Sequence, residues 1–237
     1  MERTIRKMIS FIEESDAYND FDPIASKYLY TLFARCKKTY YAICLIRNNQ
    51  SNDVNYVEAL PLFRNLIESY FHLCYVLQEE DKEKVKEGYE QIAELARFLL
   101  AKKLKKASVI GDEGKEFLSN TNFNFRLANK YKFLNNVEDL SKKVKREDLY
   151  YKNYTVLNSF LHYNPATFIN YGEFEHGKFI FNLKGDLEQS EIVFKRIDLL
   201  AMLFVGEVAA NLNDDELESK VNGVFNEFKE SSAFNNM

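Results

Sequence analysis

Tryptophan is absent from the 237 residues, and glycine (8), proline (3), cysteine (3) and histidine (3) are scarce. Sheet-rich domains need more turn residues than eleven glycines and prolines supply, so long helices are favoured. Without tryptophan, the 20 phenylalanines and 15 tyrosines must furnish the aromatic core. Cys36, Cys44 and Cys74 are an odd set with no close pairing, each inside an apolar helical stretch. They read as small hydrophobes in a reducing compartment rather than as disulfides or metal ligands.

Other absences narrow the chemistry. There is no His-Glu-x-x-His and no Cys-x-x-Cys, so neither a metal site nor a cofactor is expected. The glycine-rich phosphate loops and the Gly-x-Ser-x-Gly nucleophile elbow are missing, which sets those enzyme classes aside. No apolar run approaches the ~20 residues that span a bilayer, and the first sixteen residues lack the apolar stretch of a signal peptide. A cytoplasmic protein without a membrane partner is the expectation. A formal net charge of -4 gives no global attraction to nucleic acid, so any such binding needs a local patch.

What the chain does carry is helical periodicity. Residues 2–15 place Ile5, Met8, Ile9 and Ile12 on one side. Asp22-Pro23 reads as a cap and first-turn proline for a helix bearing Ala25, Leu29, Leu32, Cys36, Tyr40 and Ile43. A helix over 54–77 contains Pro61, which either kinks it or marks its true start. Asp81 caps the next helix, to about residue 106, whose acids come first and bases last, in the order that suits the helix dipole. Residues 116–146 are the least legible, short helices joined by Asn-rich turns. A helix over 147–162 stops at Asn164-Pro165, residues 171–183 alternate as a β-hairpin does, and helices over 187–212 and 215–229 close the chain. The expected fold is all-α: an antiparallel bundle of six to eight helices with one small hairpin, all within a single domain, residues 1–237.

Two groups of polar residues sit where apolar ones are the rule. On the 54–77 helix, apolar side chains cover well over half the circumference, as in a central bundle helix. Arg64 lies inside that apolar arc, with Glu68 one turn on and His72 one turn further, tending towards solvent. Arg64 and Glu68 pair at i,i+4. They form either a buried ion pair that fixes helix docking or a desolvated functional site. The second group is Tyr151, Thr155, Asn158 and His162, a stripe on the helix ending before Pro165. His162, in the last turn, is either a C-terminal cap or an acid–base or anion-holding group. His176 falls in the hairpin turn. The basic runs 102–106 and 142–146 suit either solvated helix ends or a phosphate backbone.

The Arg64-x-x-x-Glu68 helix, a charged helix after it, and a later helix ending in His162-x-x-Pro165 resemble an uncharacterised family of bacterial helical domains. That family is similar to the HEPN (higher eukaryotes and prokaryotes nucleotide-binding) superfamily. The resemblance implies a helical bundle, often a homodimer, acting near RNA or nucleotides in conflict with phage or other mobile elements. HEPN ribonucleases place a His four to six residues after an Arg on one helix, and no His here has such an Arg. Cleavage would need Arg64 and His162 from separate helices. Two functions therefore stand as expectations. One is a HEPN-like effector that binds or cleaves RNA or a nucleotide, with Glu68 orienting Arg64, Arg64 holding phosphate and His162 working beside Asn158. The other is a non-catalytic helical interaction module.

Overall fold

The computed structural model describes residues 1–50, 56–120, 126–160, 172–181 and 187–230, without the side chains of 172–174, 179–181, 187–188 and 228–230. These residues are mostly helical. The α-helices are α1 (Glu2–Glu13), α2 (Asp16–Asn19), α3 (Ser26–Asn48), α4 (Leu60–Gln78), α5 (Lys82–Lys106), α6 (Asp112–Asn120), α7 (Val137–Lys143), α8 (Glu147–Leu149), α9 (Thr155–Leu157), α10 (Leu187–Asn211) and α11 (Asp215–Glu230). Strands β1 (Gly172–Glu175) and β2 (Lys178–Phe181) pair antiparallel, Glu175 opposite Lys178. The turn between them uses His176 and Gly177 at φ 50 and 77, the left-handed pair that a two-residue hairpin needs. This ribbon forms no sheet layer, and the architecture is all-α.

Local chemistry sets the helix ends. Pro61 marks a start, not a kink: it lies in the first turn of α4, where its missing N–H costs nothing, and a 3-10 turn (Tyr56–Ala59) leads in. The Asp81 side chain accepts from Lys84 N at 3.1 Å and caps α5, as its position implies. Asp22 behaves differently from expectation. Its Oδ1 accepts from the backbone N–H of Ile24 and Ala25, closing a turn, and the helix proper begins later, at Ser26. Lys82 reaches back to the end of α4 and donates to the carbonyls of Val76, Leu77 and Glu79 at 3.0, 3.2 and 2.6 Å. It thereby satisfies acceptors that a helix C-terminus otherwise leaves open.

Helix α4 is central, as its broad apolar surface requires. Twelve of its 19 residues are buried, and it packs on α3, α7, α10 and the 147–160 segment. Helix α10 packs on α4, α3, α1 and α11. The four apolar positions of α1 read from the sequence are all buried; each such side chain contributes roughly 1.5–3 kcal/mol. Gly88 lets α5 close on the 3-10 helix Asn129–Asn135, since a Cβ there would stand 2.7 Å from Leu134 Cδ1 and 3.0 Å from Tyr131 Cδ1.

One ionic cluster fastens the first helix to the later ones. Asp198 on α10 is 4% exposed. It accepts from the Tyr40 hydroxyl at 2.8 Å and from Arg47 at 2.7 Å. Arg47 also donates to Glu2 at 3.1 Å. Burial pushes the Asp198 carboxyl up, against the pull of Arg47 and Tyr40. Replacing Asp198 with alanine leaves Arg47 and the Tyr40 hydroxyl without that acceptor. Urea denaturation is expected to show a loss near the lower end of about 3–5 kcal/mol, because Arg47 keeps some contact with water. Asp198→Asn, which retains an acceptor, loses less.

Candidate functional site

Arg64 projects from the second turn of α4 towards the helical segment 147–160. That segment is not one uninterrupted α-helix. It runs α8, a π-helical turn (Tyr150–Tyr154), α9 and a 3-10 turn (Asn158–Phe160). Winding in the π form changes which residues share a face. The stripe expected from Tyr151, Thr155 and Asn158 is therefore split. Tyr151 points to solvent and donates to Glu138 at 2.7 Å, Thr155 donates to its own helix at Tyr151 O, and only Asn158 turns inward. His162 lies outside the described residues.

Around Arg64 the geometry is close. Its Nε donates to Asn158 Oδ1 at 2.7 Å. One terminal nitrogen lies 3.2 Å from Glu68 Oε2, and the other donates to the Tyr154 hydroxyl. That hydroxyl in turn donates to Glu68 Oε2 at 3.1 Å, and the guanidinium carbon stands 4.5 Å from the Tyr154 ring centroid. Three of the four candidates, Arg64, Glu68 and Asn158, are thus brought together. Tyr154 is the member the sequence reading missed. Its one signal was a position four residues before Asn158. The cluster is half-open: Arg64 keeps 19% of its side chain accessible and Glu68 28%, while Tyr154 is buried.

Aromatic rings continue outward from the guanidinium. Tyr150 stacks on Tyr154 with centroids 5.3 Å apart, and Tyr151 meets Tyr150 edge-on at 5.1 Å. Tyr151 is exposed. On the other flank of the segment, a groove of about 540 Å3 opens towards α10. Phe63 and Leu200 form its floor, Leu203 is part of its wall, and Lys152, Asn153 and Arg196 supply its polar groups.

The perturbed groups nearby move away from acid–base work at neutral pH. Burial and the Glu68 carboxylate push the Tyr154 phenol up, with Arg64 opposing. His72 is half-buried, the one residue between Ser69 and Leu77 that keeps some access to solvent, in line with its place on the wheel. It packs against Tyr89, with Nδ1 3.0 Å from the Tyr89 hydroxyl, and desolvation lowers it to about 4. The thiols are buried, and desolvation raises Cys44 to about 11 and Cys74 to about 12. The two basic runs differ. In 142–146, Lys142 pairs with Glu138, Lys143 with Glu79, and Arg146 with Glu207 and the Tyr70 hydroxyl, so this run is tied into the fold. The lysines of 102–106 are exposed at the end of α5.

His72 makes a testable contribution to acid sensitivity. The unfolded imidazole takes a proton near pH 6.5, and the folded one only near 4. Between those values the unfolded state binds more protons, so stability falls as pH drops through the window. In thermal melts from pH 6.5 to 5, the parent is expected to lose Tm more steeply than His72→Gln. Equal slopes remove this assignment.

Neither the curated proteins nor the solved structures hold a match to this chain. A family model matches residues 26–179, which include α3, α4, α5 and the whole 147–160 segment, and so the Arg64 cluster. That span is well over half of the sequence, and the chain belongs to this family, DUF5677, a family of unknown function.

Proposed function

We propose that the protein is a HEPN-like helical binder of RNA or of a nucleotide, in which Arg64 takes a phosphate and the tyrosine ladder takes a base. The observation that supports this most is the run Tyr151–Tyr150–Tyr154–Arg64, which leads from an exposed ring to a partly accessible guanidinium. Aromatic faces that stack unpaired bases, next to an arginine, are what single-stranded RNA recognition uses. Glu68, Tyr154 and Asn158 hold Arg64 in one orientation, so little entropy is lost on binding. A role in conflict with phage or other mobile elements is the setting the HEPN likeness suggests. Cleavage is not part of the proposal, because the acid–base candidate, His162, lies outside the described residues.

A second reading is favoured by the charge balance of the cluster. Glu68 already neutralises Arg64, so a phosphate has to compete with a carboxylate 3.2 Å away. On that reading the cluster only locks α4 to the 147–160 segment, and the protein is a non-catalytic interaction module.

One pair of variants separates the two. If Arg64 holds phosphate, Glu68→Gln frees guanidinium charge and raises retention of total RNA at low salt severalfold, while Arg64→Ala abolishes retention. If the cluster is only a lock, neither variant changes retention. Both lower stability, by about 2 kcal/mol for Arg64→Ala, which removes charge-assisted hydrogen bonds. A parent protein that retains no RNA at low salt ends the binding proposal.

A further inference from the structure

Helix α5 leaves the main core partway along its length. Val85 is buried, Tyr89 stacks on Tyr28 at 4.9 Å, and Ile92 and Leu95 pack on the main cluster. Phe98 and Ala101 belong instead to a small separate cluster with Leu118, against which Ile110 and Phe117 pack. The end of α5 and helix α6 thus form an arm, residues 97–120, with a minor core of its own.

Four of the nine large apolar side chains exposed among the described residues lie on this arm: Leu99, Leu100, Leu104 and Val109, the last by 66%. At 100° per residue, Leu99, Leu100 and Lys103 face away from the Phe98–Ala101 side on which α6 packs, and Leu104 flanks them. The end of α5 brings Val109 into the same patch. Its N–H donates back to Leu104 O at 3.0 Å, and that of Ser108 donates to Lys105 O at 3.0 Å, with Ser108 at φ 58. This is the Schellman way of closing a helix, which sets the residue after the left-handed one beside the third from the helix end. Isolated exposed leucines are ordinary, but four apolar residues grouped on one arm mark a contact surface.

The same arm is basic. Arg97, Lys102, Lys103, Lys105 and Lys106 precede the turn, and no acid stands between Glu94 and Asp112. Helix α6 adds Asp112, Glu113, Lys115 and Glu116, of which Asp112 is paired with Lys115 at 2.9 Å. The arm therefore holds six cations to three carboxylates, although the whole chain is net -4. Those carboxylates belong to α6, which packs on the side of α5 away from Leu99 and Leu100.

We propose that this arm docks on an anionic lipid surface, its four exposed apolar residues entering the headgroup–acyl boundary and its lysines reaching lipid phosphates. No helix among the described residues is long and apolar enough to cross a bilayer, so the contact is with the surface. The expectation of no membrane partner rests on spanning length and whole-chain charge, and neither registers a local patch. Lysine placement favours lipid over a protein partner. Lys103 stands among the leucines, and protein interfaces are depleted of lysine at their cores. At a bilayer its stem lies along the acyl chains while the ammonium stays with the headgroups. RNA is disfavoured for a different reason. Unpaired bases are read by aromatic faces, but Phe98 is buried and Phe117 packs on the minor core. An apolar face bordered by lysines is what interfacial helices carry, and attraction to anionic lipid grows with each lysine. The contact uses α5, α6 and the turn between them, so it is independent of the Arg64 cluster.

Flotation of the full chain with lipid vesicles tests it. The parent is expected to float with vesicles of phosphatidylcholine and phosphatidylglycerol but not of phosphatidylcholine alone, and less as salt is raised. Leu100→Gln with Leu104→Gln lowers partitioning at least about tenfold, and so does Lys102→Gln with Lys103→Gln. Both pairs keep the helical circular-dichroism spectrum, and Arg64→Ala floats as the parent does. Because the chain has no tryptophan, Leu100→Trp reports alone. Its emission shifts to the blue on anionic vesicles, whereas Asn222→Trp, exposed on α11, keeps its spectrum. A parent that does not float with anionic vesicles overturns the proposal. So does flotation indifferent to the leucine pair, or RNA retention lost with the lysine pair in a chain that ignores vesicles. A parent that floats but retains no RNA ends the proposed function and leaves this inference standing.

Discussion

A guanidinium taken away from water must find acceptors, and among the described residues that demand is met three times with the same parts. Arg47 meets Asp198 beside the Tyr40 hydroxyl. Arg64 meets Glu68 and Asn158 beside the Tyr154 hydroxyl. Arg146 meets Glu207 at 2.8 Å beside the Tyr70 hydroxyl at 3.1 Å. In each set an arginine is matched by a carboxylate and a phenol, and at least one of the two partners lies far along the chain. Apolar packing leaves neighbouring helices many ways to slide, because leucine and phenylalanine surfaces are nearly interchangeable. A charged group that loses several kcal/mol if its partner is displaced leaves one way. The three sets join α3 to α10, α4 to the 147–160 segment, and the end of α7 to α4 and α10. Those are the junctions that fix the bundle around α4.

This constraint also shapes what the Arg64 cluster can do. A cation paired with its own carboxylate carries no net charge, so any anion it binds must gain more from orientation and stacking than from bulk attraction. A chain that is acidic overall reinforces this. Under the proposed reading the tyrosines would have to supply what charge does not, through the outer ring, Tyr151, which is in solvent and edge-on to Tyr150.

Much of the fold was legible because helices leave a local trace. Ile5, Met8, Ile9 and Ile12 repeat at the helical period and are all buried; the width of the apolar arc on α4 announced its central place; Asp81 sits where a cap belongs. The Arg64–Glu68 pair was visible for the same reason, both residues lying on one helix one turn apart. Tyr154 was not, because its partner Arg64 stands 90 residues earlier and no spacing rule links the two. Asp198 was likewise invisible, since its partners Tyr40 and Arg47 stand about 150 residues away, and no spacing rule links them. Asp22-Pro23 misled for a different reason: the same Asp side chain that caps a helix can close a turn ahead of one, and the two look alike in a sequence. The least legible stretch, 116–146, proved to contain the 3-10 helix Asn129–Asn135, whose three-residue repeat matches neither template.

The π-helical turn at Tyr150–Tyr154 has a consequence for length as well as for geometry. Such a turn is what one surplus residue makes of an α-helix. A relative lacking one residue there would wind straight through, and its Asn158 counterpart would swing by about 100° around the axis, out of reach of the arginine on α4. Within this family, then, an alignment gap of a single position in that segment would divide chains able to assemble the four-residue cluster from chains that carry its letters without its geometry.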